Sequence, residues 1–183
     1  MAGKVKSQST WESCLAWCLL YLAGEEPTKE KELMVIEYAL RFTKKDFTIG
    51  HLEAVNALFK KITLHIDDAS SYEWRSAAQL KKSKNIDIFP CDILNILDFY
   101  FTLSKVKQPV IIYLDAFALW KRYHYPHYVI VLSEHGKSYK ILDPWNGKTR
   151  IVPKTLIRRG IIMLKEHLGF ATRAITIVSE GGK

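Results

Sequence analysis

Apolar residues recur at helical spacing through the first part of the chain, then gather into short β-like runs towards its end. Gln8 to Leu22 begins polar and becomes almost wholly apolar. Ser9, Thr10 or Ser13 can cap its start, Glu12 suits the positive end of a helix dipole, and Gly24 stops it. Glu25 to Thr28 reads as a turn and cap for a helix over roughly 29–43, with Leu33, Ile36 and Leu40 as its stripe, joined by Val35, Ala39 and Phe42. Thr48 caps a further helix in which Leu52, Val55 and Phe59 recur with Leu58 beside them. Ile62, Leu64 and Ile66 then alternate with Thr63 and His65 as a short strand, with His65 facing water. Residues 67–90 are polar and carry little periodicity beyond a short helix near 76–82. Asp92 caps an expected helix to about Leu103.

From Val110 the pattern changes. Strands are expected over roughly 110–114, 127–132, 138–143, 148–152 and 172–178, with a short helix near Pro153 to Arg159. The continuous run Val110-Ile111-Ile112-Tyr113-Leu114 reads as a buried central strand. Helices first and strands second predict an α+β fold, with helices packed on one side of an antiparallel sheet. No repeat or linker interrupts the chain, so residues 1–183 are expected to form a single domain.

Composition narrows the class. At 48% hydrophobic and 25% charged, the chain reads as a globular protein and not a disordered one. No apolar run reaches the ~18 residues that span a bilayer, so no membrane segment and a cytoplasmic location are expected. Three cysteines give no disulfide framework. The net charge of +8 is spread over short groups such as Lys60-Lys61, Lys81-Lys82 and Arg158-Arg159, without a nucleic-acid motif, so no nucleic-acid partner is expected.

Cys14 is the candidate nucleophile, in a first helical turn whose unpaired backbone N–H groups suit a negative sulfur. A second informative stretch runs from His127 to Asp143 as two strand-like segments around Gly136. A five-residue loop, Ser133 to Lys137, would set His127 directly opposite Asp143, whereas a four-residue loop would oppose it to Pro144. Thiol acyl transfer needs these parts: Cys14 to attack, His127 to move the proton, Asp143 to orient the ring, and Gln8 with the Cys14 N–H to meet an oxyanion. Trp11, Trp120, Tyr125 and Trp145 cluster in sequence around them, as cleft walls or as packing between loops and sheet, with Tyr123. His124 competes with His127 for the base, and Cys18, one turn after Cys14, is open to core packing or a metal or redox pairing. No metal or cofactor is expected, because no second Cys or His pair stands at metal spacing.

These residues resemble the papain-like cysteine peptidases, most closely the branch that processes double-glycine bacteriocin leaders. In that branch a Gln precedes the nucleophile by six residues, as Gln8 precedes Cys14. The His opens a strand like His127-Tyr128-Val129-Ile130-Val131, and the orienting Asp begins a turn like Asp143-Pro144-Trp145-Asn146-Gly147. The likeness covers roughly residues 8–24 and 108–150. It implies a papain-like fold and a cysteine peptidase or amidase with a peptide or protein substrate, a Cys14, His127, Asp143 triad and Gln8 at the oxyanion. Trp145 matches a ring that shields the His hydrogen bond in papain. Leu15 and Pro126 depart from the family, which usually has Gly at the first position and often at the second. A non-catalytic peptide-binding module on the same fold is the alternative that Leu15 keeps open, and a transglutaminase-like thiol acyltransferase would use the same three residues.

Overall fold

The computed structural model describes residues 6–42, 47–67, 85–90, 93, 97 and 109–179. The expected helices near 76–82 and 92–103 fall outside these residues, apart from buried Ile93 and Leu97, and so does Cys91. Three helices come first: α1 (Cys14–Leu22), α2 (Lys29–Phe42) and α3 (Phe47–Val55). Strands β1 (Phe59–Ile66), β2 (Ile86–Pro90) and β3 (Val110–Asp115) follow, then the one-turn helix α4 (Phe117–Trp120). The chain continues through β4 (Pro126–His135), β5 (Ser138–Asp143), β6 (Lys148–Pro153), α5 (Lys154–Leu168) and β7 (Arg173–Ser179). This is an α+β fold. Among the described residues, seven strands run in the order β2-β1-β7-β3-β4-β5-β6, antiparallel except for the parallel β1–β2 pair.

Helix α1 is the spine. Cys14 to Leu20 are all buried, and the helix packs against β4, α2 and α3. A helix apolar all round must be enclosed, which accounts for the lack of a polar face. Gly24, with φ 79°, ends it, and the Glu25 N–H returns to the Leu20 carbonyl. The helices do not all lie on one side of the sheet. Helix α5 packs on β3 from the opposite face, so Ile111 and Tyr113 point to one core cluster while Val110, Ile112 and Leu114 point to the other. Every residue of β3 is buried for that reason.

Several local expectations are corrected. Helix α5 extends to Leu168, nine residues beyond the expected end at Arg159, because Ile157, Ile161 and Leu164 continue an apolar stripe past Gly160. Gly160 allows close packing there: a Cβ would stand 3.2 Å from that of Ala118. Phe59 opens β1 and does not end a helix. Helix α2 buries Glu32, Val35 and Ala39, leaving Leu33 and Leu40 exposed. His65 is buried and lies 3.3 Å from Thr176 Oγ1 on β7. No helix among the described residues is long and apolar enough to cross a membrane.

Candidate active site

Residues 8–13 form a pinned loop before α1. The Gln8 N–H donates to the Pro144 carbonyl at 2.7 Å, joining this loop to the turn after β5. Glu32, fully buried on α2, accepts the Ser9 N–H and the Ser9 hydroxyl, both at 2.9 Å. Ser13 Oγ donates to the Thr10 carbonyl at 3.0 Å and accepts the Thr10 N–H at 3.2 Å. The chain therefore reaches Cys14 already constrained. Because Cys14 opens α1, its N–H has no acceptor within the helix. Glu12 precedes the helix and is exposed, outside its first turn. Leu15 is 0% exposed and belongs to the core cluster, so its side chain does not occupy the space over Cys14.

His127 and Asp143 meet by a route that differs from the expected register. Strands β4 and β5 are joined by a two-residue turn, Gly136-Lys137, with Gly136 at φ 58°. A register shift around Leu132 leaves Ile130 facing Leu142 as the last pair, and the His127 backbone faces Leu114 on β3. The side chains nevertheless converge, with His127 Nε2 3.0 Å from Asp143 Oδ1 and both residues fully buried. The other ring nitrogen, Nδ1, is buried without a full hydrogen bond. Besides Asp143, Cys14 is the titrating side chain that interacts with this ring.

Electrostatics follow from that enclosure. Burial alone would lower the imidazole's pKa, but hydrogen bonding and charge from Asp143 and Cys14 overcome it and push His127 up to about 9. Burial would raise the Asp143 carboxyl, yet the hydrogen bond and charge of His127, the Trp145 N–H and nearby Arg150 hold it below its ordinary value. Both carboxylate oxygens are used. Oδ1 also accepts the Trp145 N–H at 3.0 Å; Oδ2 accepts Trp120 Nε1–H at 3.1 Å and lies 3.6 Å from Arg150 Nη2. The Arg150 guanidinium lies 4.6 Å from the Trp120 ring centroid. Arg150 carried no sequence signal, since only the β5–β6 pairing brings its side chain towards Asp143.

The four aromatic candidates do converge. Trp145 stacks on His127 with centroids 4.4 Å apart, and Trp11 stacks on Trp145 at 5.2 Å. Tyr125 meets Trp11 edge-on at 5.0 Å, and Trp120 lies 5.8 Å from Trp145. A cleft of about 530 Å³ opens beside Gln8, Trp11, Trp120 and Trp145. A smaller one, about 280 Å³, opens on Cys14 with Glu12 and Tyr125. Gln8 borders the larger cleft, but its Nε2 donates to the carbonyls of Thr10 and Trp11 at 2.7 and 3.1 Å.

The remaining candidates lie elsewhere. His124 Nδ1 sits 2.6 Å from Asp115 Oδ2, in a second histidine–carboxylate pair that the sequence did not reveal. Cys18 is fully buried, with its sulfur 3.9 Å from the Tyr128 carbonyl, and burial, then the charges of Cys14 and Asp143, raise its thiol well above the ordinary value. Among the described residues, no three His, Cys, Asp or Glu side chains are grouped to hold a metal ion.

No family model and no curated protein matches the sequence. Among solved structures, the chain is similar to the crystal structure of the Pseudomonas avirulence protein AvrPphB, at 11% identity and a TM-score of 0.41 over 90% of this chain and 88% of that one.

Proposed function

We propose that this chain is a cysteine peptidase or amidase on a papain-like fold, with Cys14 as nucleophile, His127 as acid and base, and Asp143 as the group that orients the imidazole. The observation that carries the reading is the use of the His127 ring. One nitrogen is held by Asp143, and the other is left for Cys14 in a buried site. In that arrangement Sγ attacks the amide carbonyl as a thiolate and forms the C–S bond. The imidazolium gives its proton to the departing nitrogen as the C–N bond breaks. Water, deprotonated by the imidazole, then attacks the thioester, and the carboxylic acid leaves as the thiol is restored.

The Cys14 N–H, at the open end of α1, supplies one donor to the oxyanion. Gln8 supplies the second only by releasing the Thr10 or Trp11 carbonyl, which is the observation that favours the non-catalytic alternative. Trp145 covers His127 and keeps water from its bond to Asp143. The polypeptide substrate spans the two clefts. An activated ester tests the reading without knowledge of that substrate. With p-nitrophenyl acetate we expect a burst of nitrophenol and an acetyl group on Cys14 by peptide mass spectrometry, both absent in Cys14→Ala and the burst slowed at least hundredfold in His127→Ala. Acetylation spread equally over Cys14 and surface lysines, with no burst, overturns the enzyme and leaves the binding module.

A further inference from the structure

The smaller cleft opens on Cys14 and is walled almost entirely by rings: Phe47, Tyr113, Tyr125, Tyr128 and Phe170. Its charged side chain is Glu12. No ion pair or hydrogen bond engages the Glu12 carboxylate among the described residues, although Lys6, Lys31, Lys61 and Lys154 all have carboxylate partners elsewhere. Arg173, whose guanidinium lies 5.9 Å from the Tyr113 centroid, donates to Thr48 and does not line the cleft. A volume of about 280 Å³ is just below the roughly 300–1,000 Å³ of drug-sized sites, which is room for one side chain.

Aromatic faces with one carboxylate at the rim form the chemistry that selects a cation over a neutral chain of equal length. The ring quadrupoles attract the charge along the walls, and the carboxylate pairs with it at the mouth. At Tyr125, burial and then the charges of Cys14 and Glu12 push the hydroxyl up to about 12, while at Tyr113, where burial also raises the hydroxyl, the Arg173 charge acts the other way. The larger cleft carries the opposite sign, with Arg122 among its tryptophans and no carboxylate.

We infer that the cleft beside Cys14 is a subsite for a lysine or arginine side chain on the acyl side of the bond that is cut. The inference rests on the proposed thiol chemistry. The acyl side is assigned because the leaving nitrogen must take its proton from His127. That ring is capped by Trp145, and Trp145 and Gln8 border the other cleft. The acyl group, bonded to Sγ, is left with Cys14's own cleft.

Peptidyl chloromethyl ketones test this. Lys, Leu or Glu is placed in turn at each of three positions of an otherwise alanine peptide, and the rate of Cys14 labelling is read by intact mass. At one position Lys should label at least tenfold faster than Leu, and Glu slowest. Glu12→Gln should bring Lys down to the rate of Leu, and Glu12→Lys should reverse the order of Lys and Glu. Each rate is divided by the same variant's rate with iodoacetamide, which carries any effect of the altered charge on Cys14 itself. Leu equal to or faster than Lys at every position, or a Lys preference that survives Glu12→Gln, overturns the subsite while the nucleophile stands. Failure of every probe to label Cys14 overturns both.

Discussion

The His127 imidazole couples the site to folding, and the size of that coupling can be worked out. Its midpoint is about 9 in the folded chain against an ordinary 6.5. At about 1.4 kcal/mol per pKa unit, the preference for imidazolium contributes about 3 kcal/mol. The sign follows from the raised value. The contribution is fully present below pH 6.5, where both folded and unfolded rings are charged, and it is lost as pH rises through 9. Asp143, held low, sets the acid side: its contribution is present above its ordinary 3.8 and is lost as pH falls below that. Urea unfolding of the native protein and of His127→Gln, from pH 6 to pH 9.5, reads the ring together with the Cys14 sulfur that interacts with it. Cys18, whose burial also costs stability once unfolded thiols ionise, is common to both proteins and cancels in the difference. The native advantage should fall as pH rises through 9, by at most about 3 kcal/mol because an ionised Cys14 offsets part of the loss, and the His127 ring protons should titrate near pH 9 by NMR. A difference that stays constant within about 1 kcal/mol, with a ring midpoint at or below 6.5, would refute the buried ion-pair account.

Three further outcomes follow from the supporting contacts. Trp120→Phe removes the indole donor from Asp143 Oδ2 and should cost about 1–3 kcal/mol in urea unfolding, with the pH dependence of Cys14 labelling shifted; an unchanged protein would mean the bond is incidental. Glu32→Ala leaves the Ser9 N–H and hydroxyl without their carboxylate and should destabilise the chain by roughly 2–4 kcal/mol, while slowing Cys14 acetylation through the loosened 8–13 loop. Loss of stability with full acetylation would confine Glu32 to folding. Gly50→Ala should lower the unfolding free energy by about 1–3 kcal/mol, because the new Cβ would stand 2.6 Å from the Ala39 carbonyl oxygen where α2 and α3 meet; thermal denaturation reads it directly.

What could be read in advance was local. The α1 spine, β3 and the pair β4–β5 announce themselves because one buried helix and three hydrophobic strands each carry their period within a few residues. The meeting of His127 with Asp143 was legible as a neighbourhood but not as a register. The turn has two residues and not the expected five, which moves the pairing by three, and the bulge around Leu132 moves it back by one; alternation alone locates neither. Glu32 was hidden for the converse reason. A carboxylate on a charged helix reads as solvated until Ser9, 23 residues earlier in the chain, arrives to satisfy it. Trp120 was visible as an aromatic wall, but its hydrogen bond to Asp143, and Arg150 beside it, depend on how α4 and β6 approach the end of β5. Leu15 stood out in sequence as a departure from the Gly usual in the papain-like family; the inward turn of its side chain is a consequence of α1 being enclosed on every side.

The central claim is that the Cys14 sulfur works as a thiolate paired with the His127 imidazolium, and thiol alkylation measures this most directly. Iodoacetamide labelling of the native chain from pH 5 to pH 9, resolved by peptide mass spectrometry, should modify Cys14 at pH 6 at least tenfold faster than Cys18, whose thiol is raised by burial. His127→Ala should remove that advantage at pH 6 and leave labelling of Cys18 in the unfolded chain unchanged. Equal rates for the native thiols throughout, or a Cys14 profile that ignores His127→Ala, would contradict the account.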